Sequence, residues 1–239
     1  MTVLDAHARK EFVSKKQIRD AISDISHQIK TPLAALNLYN EIIKEEASDE
    51  TIKEFTKLSE QELDRIETLI QNLLKITKFD TGLIQLDREE ENLFELMDCI
   101  KQRFLLRATR EGKELILSRD NSIYFECDCD WIIEAISNVV KNAMDHTKVG
   151  DTIFIEWKRY SSIIQVSIKD NGEGFHPEDL HHIFKRFYRS RFSQDKQGIG
   201  FGLPLSRSTV EAHGGTIEVD SGLGNGTSIF LDFLIPTKL

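Results

Sequence analysis

Apolar side chains recur at alternating steps of four and three residues over positions 18–43. The repeat consists of Ile18, Ile22, Ile25, Ile29, Pro32, Leu36, Tyr39 and Ile43. A seven-residue apolar repeat is the pattern of helices that pack along their length in coiled coils and bundles. Between residues 11 and 79 the chain contains a single proline and no glycine. The sequence therefore predicts long helices in this region.

A turn followed by a second helix is predicted after the repeat. Residues 47–50 read Ala-Ser-Asp-Glu, which suits a turn and a helix N-cap. A second periodic run follows, made of Ile52, Phe55, Leu63, Ile66, Ile70 and Leu73. Two helices of roughly 30 residues would each be about 45 Å long. Because an isolated pair buries its apolar faces poorly, we expect an antiparallel hairpin that forms a four-helix bundle with a second chain.

One histidine of the first helix does not belong to this packing seam. With Ile22 at heptad position a and Ile25 at d, His27 falls at f, which points farthest from the bundle core. Pro32, five residues later, removes a helical hydrogen bond and bends the helix beside it. A solvated surface residue is the ordinary interpretation of a lone helical histidine. The position also leaves His27 accessible to a group approaching from outside the bundle.

Composition excludes several classes of protein. The formal net charge of −9 over 239 residues argues against nucleic-acid binding, which calls for a basic surface. The three cysteines lack zinc-site spacing and are expected to be reduced thiols. No apolar run reaches the roughly 20 residues of a membrane span. We expect a cytoplasmic chain, which could be the cytoplasmic part of a membrane-bound protein whose membrane segments lie outside this sequence.

The chain changes character after Asp80-Thr81-Gly82, which carries a helix C-cap signal. Short β-type runs alternate with helical ones from there on. Strands are predicted at 116–117, 123–125, 153–157, 163–168, 216–219 and 228–234, and helices at 92–110, 131–146 and 203–213. This order predicts an α+β fold, a two-layer sandwich with helices on one face of a mixed sheet. The predicted domains are 11–80 and 84–239.

Two polar clusters of the second domain suit a nucleotide. Asn138 and Asn142 lie four residues apart on one helix face, and amide oxygens can bind Mg²⁺ or support a phosphate. Asp170 ends a strand and is followed by Gly172 and Gly174, so a carboxylate lies beside backbone that a flat ligand can approach. Such a carboxylate can accept a hydrogen bond from an adenine amino group. Exposed polar residues and an ordinary glycine turn explain each cluster equally well.

Two glycine-rich stretches complete the set. Gly198, Gly200 and Gly202 lead into a helix, where backbone amides and the helix N-terminus favour a phosphate chain. The polar, aperiodic residues 190–196 before them predict a mobile lid. Residues 224–227 read Gly-Asn-Gly-Thr between the last two strands, which alone would indicate a hairpin turn.

The order of these clusters is more specific than any one of them. They read N-x-x-x-N-A, D-x-G-x-G, F-x-x-F, G-x-G-x-G-L and G-x-G-T, behind a helical S-H-x-x-K-T-P-L. From about residue 14 to 235 the series resembles the sensor histidine kinases of two-component systems. The resemblance implies a dimerisation and histidine-phosphotransfer domain followed by an ATP-binding domain of the gyrase/Hsp90/histidine kinase/MutL type. It further implies ATP and Mg²⁺ as ligands and the receiver domain of a response regulator as partner.

The resemblance also assigns roles to residues. His27 would be the phosphoacceptor, Asn142 would hold Mg²⁺ with Asn138 in support, and Asp170 would bind the adenine amino group. Thr31, four residues past the histidine, would serve dephosphorylation of the regulator. Positive charge at the γ-phosphate could come from Lys185, Arg186 or Arg189. The other implied catalytic or nucleotide-binding residues are Gln28, Asp145, His146, Gly172, Gly174, Phe184, Phe187, Gly198, Gly200, Gly202, Leu203 and Thr227.

Two positions depart from the family pattern. Many relatives carry an acidic residue directly after the histidine, where this chain has Gln28, and glutamine cannot act as a base near neutral pH. Autophosphorylation would then be slow unless Asp24, one helical turn earlier, assists. Asp145 stands where a basic residue is common, and its carboxylate could bind a water on the metal.

These departures keep a second hypothesis open. The chain could be an ATP-binding dimeric switch, or a scaffold in which phosphatase activity dominates and kinase activity is low. The gyrase, Hsp90 and MutL ATPases share the second domain, but the preceding hairpin with an exposed histidine disfavours them. The main prediction is an autophosphorylating protein histidine kinase that passes the phosphoryl group to an aspartate of a response regulator, and that also dephosphorylates it.

Overall fold

The structure is a computed structural model of the chain and describes residues 29–45, 48–80, 85–118, 120, 122–186, 188, 190 and 200–235. Contacts divide the chain into two compact units, with the division between Lys75 and Ile76, inside the last turns of a helix. None of the helices among the described residues is both long and apolar enough to cross a membrane.

The first unit contains a helical hairpin. Helix α1 covers residues 29–45, and helix α2 covers Asp49–Asp80. Ser48 caps α2, because its Oγ accepts a hydrogen bond from the Thr51 N–H at 3.2 Å. The rings of Tyr39 and Phe55 lie 5.6 Å apart, each about two turns from the connection, so the two helices run antiparallel. The predicted helices are confirmed over residues 29–45 and 49–80, and so is the predicted cap, while Ile18, Ile22 and Ile25 of the repeat lie outside the described residues.

Helix α2 carries apolar residues on two faces. One stripe at alternating steps of three and four, apolar except for a serine and a glutamate, is buried or half-buried, at Ile52, Phe55, Ser59, Glu62, Ile66, Leu69 and Leu73. A second stripe stays exposed in the single chain, with Leu63 at 55%, Ile70 at 43% and Leu74 at 51%. In α1, Leu33 and Leu38 are similarly exposed, at 46% and 54%. The hairpin alone therefore leaves part of its apolar surface uncovered.

The second unit alternates strands and helices. Its elements are β1 (Glu89–Asn92), α3 (Leu93–Glu111), β2 (Glu114–Leu117), β3 (Tyr124–Cys127), α4 (Cys129–Asp145), β4 (Thr152–Arg159), β5 (Ile163–Asp170), α5 (Pro177–Leu180), α6 (Gly202–Ala212), β6 (Thr216–Ser221) and β7 (Thr227–Leu234). Five strands form one sheet in the order β2-β4-β5-β7-β6, in which only the β2–β4 pair is parallel. Strands β1 and β3 pair separately as an antiparallel ribbon.

The core lies between the sheet and the helices α3, α4 and α6. Alternate residues of the central strands face it, as period-two strands require, and the others stay half-buried or exposed. On β4 the buried set is Ile153, Ile155 and Trp157, and on β7 it includes Ile229 and Leu231. The predicted mixed sheet with helices on one face is thus confirmed.

All six predicted strands and three predicted helices of this unit are present, with ends that agree or are shifted by at most two residues. Strand β1 was not predicted, because its sequence Glu-Glu-Glu-Asn has no apolar alternation and its pairing with β3 is a tertiary contact. The single turn of α5 is also new. Its four residues are too few for a helical periodicity to show in sequence.

Candidate nucleotide site

Asp170 ends the central strand β5, and its carboxylate is held by the backbone. Oδ1 accepts hydrogen bonds from the N–H groups of Gly172 at 3.0 Å and Thr227 at 3.2 Å. Its other oxygen, Oδ2, bonds none of the residues that the structure describes. Burial raises the pKa of Asp170, while the two N–H donors and the nearby His146 act in the opposite direction. The arrangement fixes one carboxylate oxygen and leaves the second as an acceptor for a ligand.

Glycines let three backbone segments converge around this carboxylate. A Cβ atom on Gly172 would lie 2.2 Å from the His146 carbonyl oxygen, and one on Gly226 would lie 2.0 Å from the Asp170 carbonyl oxygen. Gly174 adopts a φ of +68°, and a Cβ there would lie 2.1 Å from the Gly222 carbonyl oxygen. Larger residues at these positions would push the segments apart. The glycines are therefore required for the close approach.

Helix α4 supplies the asparagines. Asn138 is half-buried, and its Nδ2 atom is buried without a hydrogen-bond partner among the described residues. A Cβ atom on Gly202, the first residue of α6, would lie 3.4 Å from Asn138 Oδ1. Asn142, one turn further along α4, is also half-buried. A buried amide donor beside a helix N-terminus is suited to a phosphate oxygen.

Asp145 points into an ion-pair network. Its Oδ1 accepts a hydrogen bond from Arg107 Nη2 at 2.7 Å, and its Oδ2 lies 3.7 Å from Lys141 Nζ. Arg107 also bonds Glu111 at 2.6 Å. The carboxylate thus joins α3 to the end of α4, which differs from the expectation that it serves a water on the metal.

His146 follows α4 and contacts the turn after Asp170. Its Nδ1 lies 2.9 Å from Glu173 Oε1, and its carbonyl oxygen accepts a hydrogen bond from the Glu173 N–H at 3.2 Å. Its ring centroid is 6.0 Å from that of Phe175. Two bonds between His146 and Glu173 therefore tie the end of α4 to the D-x-G-x-G turn.

Three further predicted residues of the second unit belong to α6, precede it or contact it. Gly200 has a φ of +75°, Leu203 is buried in the core, and Phe184 is half-buried against the core. The guanidinium of Arg207 lies 5.7 Å from the Phe184 ring centroid, so the F-x-x-F segment contacts α6. Thr31 lies in α1 and is exposed.

Several predicted residues lie outside the described residues. They are His27, Gln28, Phe187, Arg189, Gly198 and the residues of the expected lid other than Ser190. Their assignments stay predictions.

Comparison with known proteins identifies the family. Residues 17–82 match the His Kinase A (phospho-acceptor) domain, and residues 127–237 match the Histidine kinase-, DNA gyrase B-, and HSP90-like ATPase domain. The sensor histidine kinase WalK of Bacillus subtilis is 30% identical over 226 residues, or 92% of this chain. The chain belongs to the sensor histidine kinases. Staphylococcus aureus SrrB, a sensor protein, is 31% identical over 217 residues, or 89% of this chain.

Both relatives are longer than this histidine kinase chain, which spans 37% of the length of each. Among solved structures, the histidine kinase AdeS of Acinetobacter baumannii aligns with a TM-score of 0.70 at 19% identity, covering 88% of this chain and 98% of AdeS. The histidine kinase ThkA was solved in complex with the response regulator protein TrrA. It aligns with a TM-score of 0.77 at 23% identity, and the alignment covers 100% of this chain and 69% of the ThkA chain. These likenesses show the shared fold.

Two site residues of this histidine kinase chain were missed in the sequence. Ser221 Oγ donates to the Gly226 carbonyl at 2.9 Å, accepts from the Phe175 N–H at 2.9 Å and lies 3.0 Å from Thr227 Oγ1. Glu173 is the partner of His146. The β6–β7 pairing places Ser221 opposite Thr227, so a hairpin register would have pointed to Ser221; nothing in the sequence links Glu173 to His146.

The residues present fit a magnesium nucleotide. Among the described residues no three His, Cys, Asp or Glu side chains cluster as a metal site. Mg²⁺ commonly uses one or two protein ligands and the phosphates of its substrate. The half-buried Asn142 beside the unpartnered Asn138 amide provides that kind of partial site.

Proposed function

We propose that the chain is an ATP-dependent protein histidine kinase that autophosphorylates on His27 and transfers the phosphoryl group to an aspartate of a response regulator. The observation that carries this proposal is the Asp170 carboxylate, with one oxygen fixed by two N–H groups and the other available to an adenine amino group. A phospho-acceptor hairpin precedes this site in the same chain. The two parts together match the two tasks of the reaction.

The nucleotide binds with its adenine at Asp170 and its phosphates at Asn138, Asn142 and the N-terminus of α6. Glycines 172, 174 and 226 allow the backbone to approach the ring. When bound, ATP supplies the γ-phosphoryl group, and Mg²⁺ held by Asn142 neutralises charge on the phosphates. Phosphoryl transfer requires mainly positioning and charge stabilisation from the protein, which these residues provide.

The acceptor is the imidazole of His27. A neutral imidazole nitrogen carries the lone pair that attacks the γ-phosphorus. Gln28 can orient the ring by a hydrogen bond but cannot remove its proton, so turnover is slow unless Asp24 assists. Thr31, exposed on α1, is placed four residues later and serves the dephosphorylation of the regulator.

A homodimer and a response regulator are the proposed partners. The exposed apolar stripe of α2 supports self-association, and ThkA, which shares the fold, was solved with a response regulator. The domain limits 11–80 and 84–239 and a cytoplasmic location belong to the same proposal.

Two observations favour a second candidate, an ATP-binding dimer whose phosphatase or switching role outweighs its kinase activity. Gln28 stands directly after the histidine, where many relatives carry an acidic residue. Asp145 stands where a basic residue is common, and its carboxylate bonds Arg107 and lies near Lys141. This candidate predicts nucleotide binding with little phosphorylation.

Labelling with [γ-³²P]ATP and Mg²⁺ separates the candidates. We expect acid-labile, alkali-stable label on the wild-type chain and none on the His27→Ala variant, with unchanged ATP affinity. His181→Ala, at an exposed histidine of the ATP-binding unit, is the matched control and should label normally. Nucleotide binding without label would favour the switch, and label persisting on His27→Ala would exclude His27 as the acceptor.

A further inference from the structure

Helices α4 and α6 pack side by side in opposite directions. Three contacts join them in order along their length. Gly202 faces Asn138, the Ser206 hydroxyl donates to the Ala135 carbonyl at 2.7 Å, and His213 directly after α6 contacts Asp128 directly before α4. Only the first of these contacts lies at the phosphate end of the candidate site. The other two lie one and three turns away along α6.

The middle contact is fully buried. Ser206 has no exposed surface, and its Oγ also lies 3.1 Å from the Gly202 carbonyl oxygen. The hydroxyl therefore bonds a carbonyl of the neighbouring helix in a place where no water competes for it. A buried hydroxyl of this kind fixes the axial position of one helix against the other.

The far contact fixes the chemical form of a histidine. His213 is 6% exposed, its Nδ1 lies 2.8 Å from the Thr209 carbonyl oxygen, and its Nε2 lies 3.1 Å from the Asp128 amide nitrogen. The carbonyl can only accept and the amide can only donate, so the ring must carry its proton on Nδ1 alone. Burial lowers the pKa of His213, which also favours this neutral ring, in spite of the Asp128 carboxylate nearby.

The segment that precedes β1 bonds to the same end of the helix pair. The Asp128 carboxylate accepts hydrogen bonds from the Trp131 N–H at 3.3 Å, as the N-cap of α4, and from the Asp87 N–H at 3.0 Å. The guanidinium of Arg88 donates to the carbonyl of Ala212, the last residue of α6, at 2.9 Å. Backbone and side-chain bonds therefore converge on the two helix ends that lie farthest from the phosphates.

We propose that His213 and Ser206 are positioning residues that hold α6 in register on α4. This register lets the α6 N-terminus and Asn138 contact the same phosphate group. The inference rests on the proposed phosphate roles of Asn138 and Gly202. Neither positioning residue touches the nucleotide. They act through the two helices that carry the groups that do.

The adenine end of the site does not depend on this register. Asp170 and Thr227 belong to the sheet strands β5 and β7, and their bonds to each other and to Gly172 involve no atom of α4 or α6. A shift of α6 along α4 therefore weakens phosphate contacts and leaves adenine recognition intact. Misplacing a group by about 1 Å can cost 10²-fold in rate.

A matched pair of variants isolates the inter-helix bond. The His213→Asn variant places the amide nitrogen of its side chain near the former position of Nδ1, so it keeps only the bond to the Thr209 carbonyl. Gln places its oxygen as far along the side chain as Nε2 and can still accept from the Asp128 N–H. Each variant is compared with wild type for adenosine affinity, Mg·ATP affinity and autophosphorylation rate, with Ser206→Ala as a second site.

We expect His213→Asn to lose about tenfold to a hundredfold in Mg·ATP affinity or phosphorylation rate, with adenosine affinity within about threefold of wild type. His213→Gln should recover most of the loss, and Ser206→Ala should show the same split with a smaller amplitude. Equal weakening of adenosine and Mg·ATP would indicate a merely structural role and overturn the inference. Wild-type values for both His213→Asn and Ser206→Ala would overturn it as well. A wild-type chain that binds neither ligand would overturn the proposed function itself, so the two failures are distinguishable.

Discussion

Burial of the Asp170 carboxylate lowers the free energy of unfolding of the protein. The pKa of Asp170 is raised, so the folded chain favours the protonated acid more than the unfolded chain does. The resulting destabilisation is absent at acid pH, develops as the pH rises through the unfolded pKa near 3.9, and is complete above the folded pKa. Residues kept at such a cost are found mainly at functional sites.

Asp170→Asn should therefore stabilise the protein in the absence of nucleotide while weakening nucleotide binding. The Asn oxygen is required by the N–H groups of Gly172 and Thr227, so its NH₂ group would face the adenine amino group, donor against donor. A charged hydrogen bond is worth about 1.5–3 kcal/mol, which corresponds to roughly a tenfold to 150-fold loss of affinity. Calorimetric titration with ATP measures it, and urea unfolding at pH 4 and pH 7 measures stability.

The stability gain of Asp170→Asn should be larger at pH 7 than at pH 4. Asp220→Asn, at an exposed position of β6, is the control and should change neither ATP affinity nor the pH dependence. If Asp170→Asn bound ATP like wild type, the adenine role of this residue would be wrong.

Among the helices, α4 shows how an element that carries site residues is fixed at its ends. Its last turn contains no basic residue, and Lys113 from outside the helix donates to the Met144 carbonyl at 2.5 Å. Hydrogen bonds from Lys113 and Arg107 also lower the pKa of Glu111. Cations placed at a helix C-terminus offset its negative dipole end. Asp145 completes this network through its bond to Arg107.

We predict that Asp145→Asn changes Mg·ATP affinity by less than about threefold, because the carboxylate is engaged by Arg107 and Lys141. Loss of a partly exposed ion pair should lower the free energy of unfolding by about 0–1 kcal/mol. Titration of ATP binding against Mg²⁺ concentration tests this directly. A collapse of the Mg²⁺-dependent affinity would instead support the metal-bound water first expected for this residue.

At the scale of the whole molecule, the second stripe of α2 is an apolar surface of the first unit that a single chain leaves exposed to solvent. Leu63 and Ile70 lie seven residues apart on α2 and are both about half exposed. Full burial of a Leu or Ile side chain contributes about 1.5–3 kcal/mol. Each of these side chains is already about half buried, so covering it would contribute about half of that amount, and in a two-fold symmetric dimer each residue is counted twice. Burial of this stripe therefore favours association.

Replacing both Leu63 and Ile70 with Glu should convert a dimer into a monomer. Sedimentation equilibrium at tens of micromolar protein compares the double variant with wild type, and circular dichroism checks that helices remain. Leu106→Glu is the matched control, because Leu106 is 70% exposed on α3 of the other unit and should not affect self-association. A wild-type chain that sediments as a monomer would remove the basis for the proposed dimer.

Local patterns determined which elements form and in what order. The seven-residue repeat, the Ser48 cap and the alternation in β4 and β7 each depend on residues a few positions apart, so their physics can be read from the chain. The turn after Asp170, taken alone, suited an ordinary glycine turn equally well, and only its place among the other motifs pointed to a nucleotide. The order of the motifs then indicated the family, which the domain matches confirmed.

Only the tertiary structure decided which side chains meet across long separations. The Asp145 side chain bonds that of Arg107, the His146 ring bonds the Glu173 side chain, and the His213 ring accepts from the Asp128 backbone N–H, over 38, 27 and 85 residues of chain. No local propensity encodes such pairs, because they follow from the packing of α3, α4 and α6 on one sheet. For the same reason strand β1 was invisible in sequence, as its acidic residues become a strand only by pairing with β3. The sequence alone indicated which reactive groups are present, and the packing of the helices on the sheet decided which of them lie together.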